Sequence, residues 1–330
     1  MDNTNTKKNY NINESLSFMD INNTNIIILP PGFILNNKVF DIKPRIIKIG
    51  SDEYTFNKKI SHGTYGYVYL YSSYKNKIAI KISDDVNDLY VDIIVLNKLK
   101  KKKCDNVFVE SYVCDYKYKY QNEEITTKII IMDNYDGNIL DFVYGIFNNM
   151  DKNIKYVFIL NIIKQISISI KCLYDNDLFY ADITPNNILY KNTSFHSVKI
   201  VLGDLGGACC YDNAYTVSFP SIKNKNSDGF IKNISEFDLI WGICVTMMYL
   251  LVDQKEITFY KLCDTFLYKN IKNNEDEKIY DEINKIKNII LSEEINENIK
   301  KIYENIFLFI TNNSFDIHLD DLLNILNINI

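Results

Sequence analysis

The chain has 330 residues, 47% of them hydrophobic, with 37 Lys and Arg against 42 Asp and Glu and a net charge of −5. That composition suits one large core or two adjoining lobes and excludes fibrous and wholly disordered classes. The mild acidic balance argues against nucleic-acid binding as the main business, and the local basic run Lys100 to Lys103 reads as solvated lysines.

The N-terminus is polar where a secretory signal is apolar, and the longest uncharged apolar run, Leu239 to Val252, is shorter than the roughly 20 residues of a membrane-spanning helix. The expectation is a soluble, intracellular, cytoplasmic protein without a membrane partner. Cysteines at 104, 114, 172, 209, 210, 244 and 263 show no Cys-x-x-Cys spacing, so free thiols are expected rather than a zinc cage or a disulfide framework. The three histidines, His62, His196 and His318, stand apart from the acidic motifs below, which argues against histidine-based nucleophilic or metal chemistry.

Residues 1–40 form a polar, Asn-rich N-terminal extension ending in a short apolar patch broken by Pro30, Pro31 and Gly32. Its first part has too little apolar surface to offset ordering entropy and is expected to be disordered. From Tyr54 the segments YTFNKKI, YGYVYLYSS and KIAIKIS read as three consecutive antiparallel strands. In the following segment Val91, Ile94, Val95 and Leu99 have helical spacing. TTKIIIM resumes as a buried strand, and DNYDGN is a connector. Beyond it YVFILNIIKQISISIKCLYDN repeats its apolar positions at three and four residues, and SEFDLIWGICVTMMYLLV is apolar all round, as a buried central helix is. FHSVKIVLGDLG, between them, is strand-like. The expected fold class is α+β and bilobal: a small β-rich N-terminal lobe with one helix (about 41–133) and a larger, mainly helical C-terminal lobe (about 136–330). Ligands favour the crevices between lobes.

Four features along this pattern carry chemistry. The turn between the first two strands contains Gly63, Thr64 and Gly66, where glycines let backbone amides approach phosphate oxygens, although a plain hairpin suits them equally. Lys81, on the next strand, could neutralise phosphate charge. In YADITPNNIL, Asp182 stands five residues before Asn187 on a loop turned by Pro185. That suits a carboxylate accepting a hydroxyl proton and an amide oxygen holding a divalent metal. Asp204, in GDLGG, adds a second hard oxygen ligand for Mg²⁺. Each acid or amide could separately be a turn residue; all four in this order make coincidence a poor account.

At this point the chain resembles the eukaryotic-type protein kinase family, from about Tyr54 to Leu251 and more faintly to the C-terminus. The resemblance implies that Gly63, Gly66 and Val68 belong to a nucleotide-covering loop, that Val68 and Ala79 flank adenine, and that Lys81 contacts phosphates. It implies Met132 as the residue gating the back of the pocket and Asp133 to Tyr135 as the hinge. Asp182 is the implied base, Asn187 and Asp204 the metal ligands, and Asp238 the helix aspartate bracing the catalytic loop. Implied cofactors are ATP and Mg²⁺, and the implied reaction is γ-phosphoryl transfer to a protein Ser or Thr. The diverged motifs are similar in style to kinases of large DNA viruses or A+T-rich protists, which would set the protein in a host cytoplasm if viral.

Departures from the family pattern are specific. Ser61 stands for the first loop glycine, Asp92 for the helix glutamate, Tyr180-Ala181 for His-Arg, and Thr184 for lysine; the nearest counterpart of Ala-Pro-Glu is SFPS at 218–221. Without an arginine before Asp182, switching by activation-loop phosphate is not expected. Two other readings stay open on the sequence: a pseudokinase serving as a binding module, and an atypical or small-molecule kinase.

Overall fold

The computed structural model describes residues 27–28, 46–49, 52–63, 66–82, 89–101, 104, 107–109, 111–120, 123–146, 150–194, 197–204, 208–209, 215–216, 230–231, 234–252, 276–311 and 317–327. The chain divides into two compact units, one of Met1–Asp84 with Tyr112–Ile131, the other of Asp85–Ser111 with Met132–Ile330. The class is α+β, a β-sheet unit followed by a mainly helical one.

The first unit is built on one seven-stranded sheet. Its strands are β1 (Ile27–Ile28), β2 (Ile46–Ile49), β3 (Asp52–Gly63), β4 (Gly66–Ser72), β5 (Lys77–Ile82), β6 (Ser111–Tyr120) and β7 (Glu123–Asp133), in the order β1-β6-β7-β5-β4-β3-β2. The three expected strands are β3, β4 and β5, paired antiparallel. Strand alternation sends Tyr69, Tyr71, Ile78, Ile80 and Ile82 to one face, where they join Ile47, Tyr54, Ile129 and Ile131 in a buried cluster. Burying each large apolar side chain contributes about 1.5–3 kcal/mol, so the cluster sets the register: a one-residue slip would expose it. Strands β2 and β6 were not expected. SYVCDYKYKY in β6 alternates tyrosine with charged residues and has no continuous apolar run to announce it. Of the extension 1–40 only Ile27 and Ile28 are described; they pair parallel with Tyr118 and Lys119. Its first part, expected to be disordered, lies outside the described residues.

The second unit begins with α1 (Tyr90–Lys101), whose inner face carries Ile93, Val95 and Leu96 together with Asp92, only 1% exposed. Of the residues with helical spacing, Val95 is buried and Ile94 and Leu99 are partly buried. Strand β8 (Gly137–Asn138) leads into α2 (Ile139–Ile146), and α3 (Lys152–Tyr174) follows. Helix α3 starts at Asp151, whose side chain accepts from the Ile154 amide at 3.3 Å. It ends in a turn with Asp177 at φ 58° and the Leu178 amide on the Leu173 carbonyl at 3.0 Å, a Schellman closure.

Downstream come β9 (Phe179–Tyr180), β10 (Ile188–Ser194), β11 (Ser197–Leu202), β12 (Ala208–Cys209), β13 (Tyr215–Thr216) and β14 (Phe230–Ile231). Then follow α4 (Glu236–Leu251), α5 (Asp276–Ser292), α6 (Glu297–Thr311) and α7 (Leu319–Leu326). Every residue from Phe237 to Leu251 is buried, as expected of a helix apolar all round. Helix α3 packs on α4, α7 and β11. By length and hydropathy α3 could cross a membrane, but Ile159, Ile162, Ile163, Ile166 and Ile170 are buried within the unit.

Cys104, after α1, forms a disulfide with Cys172 of α3, 68 positions away, with Cα atoms 5.9 Å apart. The expectation of free thiols is corrected for this pair. Their sequence spacing has no motif because the packing of α3, rather than a local turn, brings them together. Cys244 is a buried free thiol.

Candidate active site

The expected site residues fall into two groups, one in each unit. In the first unit, Val68 stands opposite Lys81 and Leu70 opposite Ala79 in the β4–β5 ladder. Cross-strand partners share a face, and this face is opposite to the one carrying Ile78, Ile80 and Ile82. Ala79 is buried and Lys81 half-buried. Ser61 faces Val68 on β3, so a small side chain sits at the edge of the same row. Gly63 pairs with Gly66 across the hairpin, and Thr64 lies outside the described residues.

The second unit brings Asp182, Asn187 and the turn at Asp204 together. Strand β9 delivers the chain to Ala181–Thr184, and Pro185–Asn187 form a single 3₁₀ turn closed by the Asn187 amide on the Thr184 carbonyl at 3.0 Å. Pro185 suits the first position of such a turn because it has no amide hydrogen to satisfy. The Asn187 side-chain NH₂ donates to Asp182 twice, to Oδ2 at 2.8 Å and to the carbonyl at 3.1 Å. Its own carbonyl accepts from the Gly203 amide at 2.6 Å. The five-residue spacing therefore lets one amide clamp the acid's carboxylate and backbone together, while its main chain holds the start of the next turn.

Gly203 is required by this approach. A Cβ there would lie 3.2 Å from the Asn187 carbonyl oxygen and 3.1 Å from Leu189 Cγ. Asp204 follows with φ 42°, a left-handed conformation costing a non-glycine residue about 1–2 kcal/mol, and its side chain is exposed. Such strain persists where surrounding bonds over-determine the backbone. Here those bonds are visible. The Tyr180 hydroxyl donates to the Gly203 carbonyl at 2.8 Å. Upstream, the Leu202 amide bonds the Val107 carbonyl at 2.8 Å, and the Val109 amide bonds the Leu202 carbonyl at 3.3 Å. Beyond the turn, Ala208 pairs with Tyr180, tying the returning chain to the strand that feeds Asp182. The Gln165 amide of α3 fixes β11 from behind, donating to the Val198 carbonyl and accepting from the Ile200 amide, each at 3.0 Å.

Tyr180 is fully buried, and the Phe108 ring meets it edge-on at 5.6 Å. Burial raises its phenol pKa well above 10, and the charges of Asp204, Asp182 and Asp92 raise it further. It remains a neutral donor beside three acids, which is what the Gly203 carbonyl needs.

Asp238 was expected to brace the catalytic loop. Its Oδ2 accepts from the Ser235 amide at 2.9 Å and the Ser235 hydroxyl at 2.7 Å, capping α4. Two further residues of the same helix touch the loop, contacts that the sequence did not announce. The Thr246 hydroxyl donates to the Ile183 carbonyl at 3.1 Å, and Gly242 lies against the Ile183 side chain. Their one-turn separation is the only trace of this in the sequence, and nothing local marks Ile183 as their target. Met132 and Tyr135 are half-buried and Asp133 exposed. The Lys191 ammonium lies 5.8 Å from the Tyr135 ring centroid, and the Asp136 amide and carboxylate bond β10 at Tyr190 and Asn192.

No family model matches the chain. A curated relative, dual specificity tyrosine-phosphorylation-regulated kinase 2 of Drosophila melanogaster, is 26% identical over 169 residues, 48% of this chain. The match spans 22% of that relative's length. Among solved structures, the crystal structure of the BubR1 kinase domain aligns with a TM-score of 0.47 and 13% identity, covering 86% of this chain and 92% of that one. Over 48% of its length the chain is thus similar to part of one protein kinase, and its described elements form a β-sheet unit and a mainly helical unit.

Proposed function

We propose that the protein is an ATP- and Mg²⁺-dependent protein kinase that transfers the γ-phosphoryl group to a Ser or Thr hydroxyl of a protein substrate. The observation that carries this reading is the Asn187 clamp, which joins Asp182 to the Gly203–Asp204 turn through three hydrogen bonds. In the proposed reaction Asp182 receives the hydroxyl proton, the hydroxyl oxygen bonds to the γ-phosphorus, and the bond to the β–γ bridging oxygen breaks to release ADP.

The donor set fits a hard cation. With its NH₂ used on Asp182, Asn187 retains Oδ1, and Asp204 offers an exposed carboxylate. Among the described residues no cluster of three or more His, Cys, Asp or Glu side chains makes a closed cage. Two oxygen ligands completed by phosphate oxygens match the way Mg²⁺ is held with nucleotides. Bound there, Mg²⁺ would neutralise charge on the β- and γ-phosphates. Lys81 is assigned to the α- and β-phosphates, Gly63, Thr64, Gly66 and Val68 to the covering loop, Val68 and Ala79 to adenine, and Met132, Asp133 and Tyr135 to the gate and hinge.

The same proposal takes residues 41–330 as the kinase-like domain and an intracellular setting, with a protein rather than nucleic acid or membrane as partner. The retained Lys81, Asp182, Asn187 and Asp204 favour a working enzyme over a pseudokinase. The test is ATP turnover and phosphate transfer to protein acceptors with Mg²⁺, comparing wild type with Asp182→Asn. A drop of at least about a hundredfold is expected from loss of the positioned base. Equal rates in both proteins, or transfer confined to small metabolites, would overturn this reading.

A further inference from the structure

Helix α4 is buried from Phe237 to Leu251, yet two of its residues are unusual for a helix at the centre of an apolar core. Gly242 lacks a side chain, and Thr246 carries a hydroxyl with no exposure to solvent. They are one helical turn apart, so they share a face. Both meet the same residue of the loop, Ile183. A Cβ at position 242 would stand 3.2 Å from Ile183 Cβ and 3.3 Å from its Cδ1, so the missing side chain is the seat of Ile183. The Thr246 hydroxyl then takes the Ile183 carbonyl at 3.1 Å.

We infer that Thr246 is a positioning residue for Asp182, acting through Ile183; the assignment rests on the proposed role of Asp182. Ile183 is joined to Asp182 by one peptide bond, and its side chain is 1% exposed. With its side chain held in the Gly242 seat and its carbonyl held by Thr246, the residue after the acid is fixed at two points. The Asn187 side chain fixes the same acid from the other side, on its carbonyl and carboxylate. Asp182 is thereby held between the buried stretch of α4 and a turn whose Asp204 is exposed. A threonine in a helix divides between two χ1 rotamers, and the bond to the Ile183 carbonyl accompanies the one observed. Asp238 of the same helix accepts from Ser235 at the start of α4, eight residues before Thr246, whose hydroxyl meets the Ile183 carbonyl.

The experiment compares wild type, Thr246→Val, Thr246→Ser and Gly242→Ala. Valine keeps the shape and removes the donor, leaving the buried Ile183 carbonyl without it. Thr246→Val is expected to lower kcat by about ten- to a hundredfold through misplacement of Asp182, with KM for ATP within about twofold. Thr246→Ser retains the donor and should recover most of that loss. Amide hydrogen exchange of the 180–189 segment reads the loop directly. It should speed up about tenfold or more in Thr246→Val and Gly242→Ala, and stay near wild type in Thr246→Ser.

A folded Thr246→Val protein with wild-type kcat and wild-type exchange would overturn the assignment. So would equal losses in the serine variant, since those would trace to the methyl group and packing. If the valine variant does not fold, Gly242→Ala and Thr246→Ser still decide, the first by loosening the loop with the hydroxyl in place, the second by leaving it tight. A wild type that turns over no ATP would remove the proposed function alone; the exchange comparison would still decide whether Thr246 holds the loop.

Discussion

The β4–β5 ladder and the Asp182–Asn187 loop hold their candidate site residues in opposite ways. In the ladder, Val68, Ala79 and Lys81 are oriented by strand alternation, with Tyr69, Ile80 and Ile82 driving the other face into the core. The loop has no such repeat. Asp182 is oriented by hydrogen bonds that span 5 and 63 positions: Asn187 on the acid itself, Thr246 on the next carbonyl. A periodic site tolerates replacement of an outward-facing side chain, because the inward face keeps the register. A bonded site changes shape when one donor is removed, because a buried acceptor is left unsatisfied.

Substitutions can test that contrast in descending order of effect. Asp204→Ala removes a proposed metal ligand from a strained, bonded turn and should lower transfer by about a thousandfold or more, roughly 4 kcal/mol in the transition state. The check is single-turnover transfer beside nucleotide binding, which should persist. Lys81→Met keeps bulk on the ladder and removes the charge. Transfer should fall about a hundredfold while the thermal midpoint stays within about 2 °C of wild type, since the Ile78, Ile80 and Ile82 face is untouched. A large loss of stability instead would show that the ladder, too, depends on its outward side chain.

Tyr180→Phe breaks the loop region without touching either acid. The Gly203 carbonyl loses its buried donor, at a cost of about 1–3 kcal/mol by chemical denaturation. The same variant has a pH signature. Tyr180 and Tyr303 are raised well above 10, and Tyr156 to about 12, chiefly by burial. In the unfolded chain these phenols ionise near 10. Above that pH the unfolded state therefore binds fewer protons than the folded state, and stability falls as pH rises. Tyr156 contributes to this fall between about 10 and its folded value of about 12. Denaturation midpoints followed from pH 8 upward should be level and then drop past 10, and Tyr180→Phe should drop less steeply. The smallest effect expected is that of phosphatase treatment. Ala181 offers no guanidinium to a phosphate on Tyr211, Tyr215, Thr216 or Ser218, so the transfer rate should change little. A large loss that is reversed by ATP and mapped to one of those hydroxyls would reveal an anchoring cation elsewhere.

How much of this was legible follows from the same contrast. The β3, β4 and β5 strands, the buried α4 and the α+β class all rest on local periodicity, and each is present. Strand β6 escaped because charged residues alternate with its tyrosines. On α1 the helical spacing was readable, but the burial of Asp92, a charged residue at 1% exposure, was not. The types and spacing of Asp182, Asn187 and Asp204 could be read from the sequence, and the proposed proton acceptor and hard oxygen ligands would require such residues. Their mutual arrangement could not be read.

By itself, then, the sequence determined which segments alternate and which are apolar all round, because those patterns act between neighbours along the chain and need no distant partner. Only the tertiary structure decided that Cys104 meets Cys172, that Tyr180 holds the Gly203 carbonyl, and that Gly242 and Thr246 seat Ile183. These contacts join residues 23 to 68 positions apart. A hydrogen bond or a close approach between such residues has no period, and it exists only once packed helices and strands have brought its two ends together.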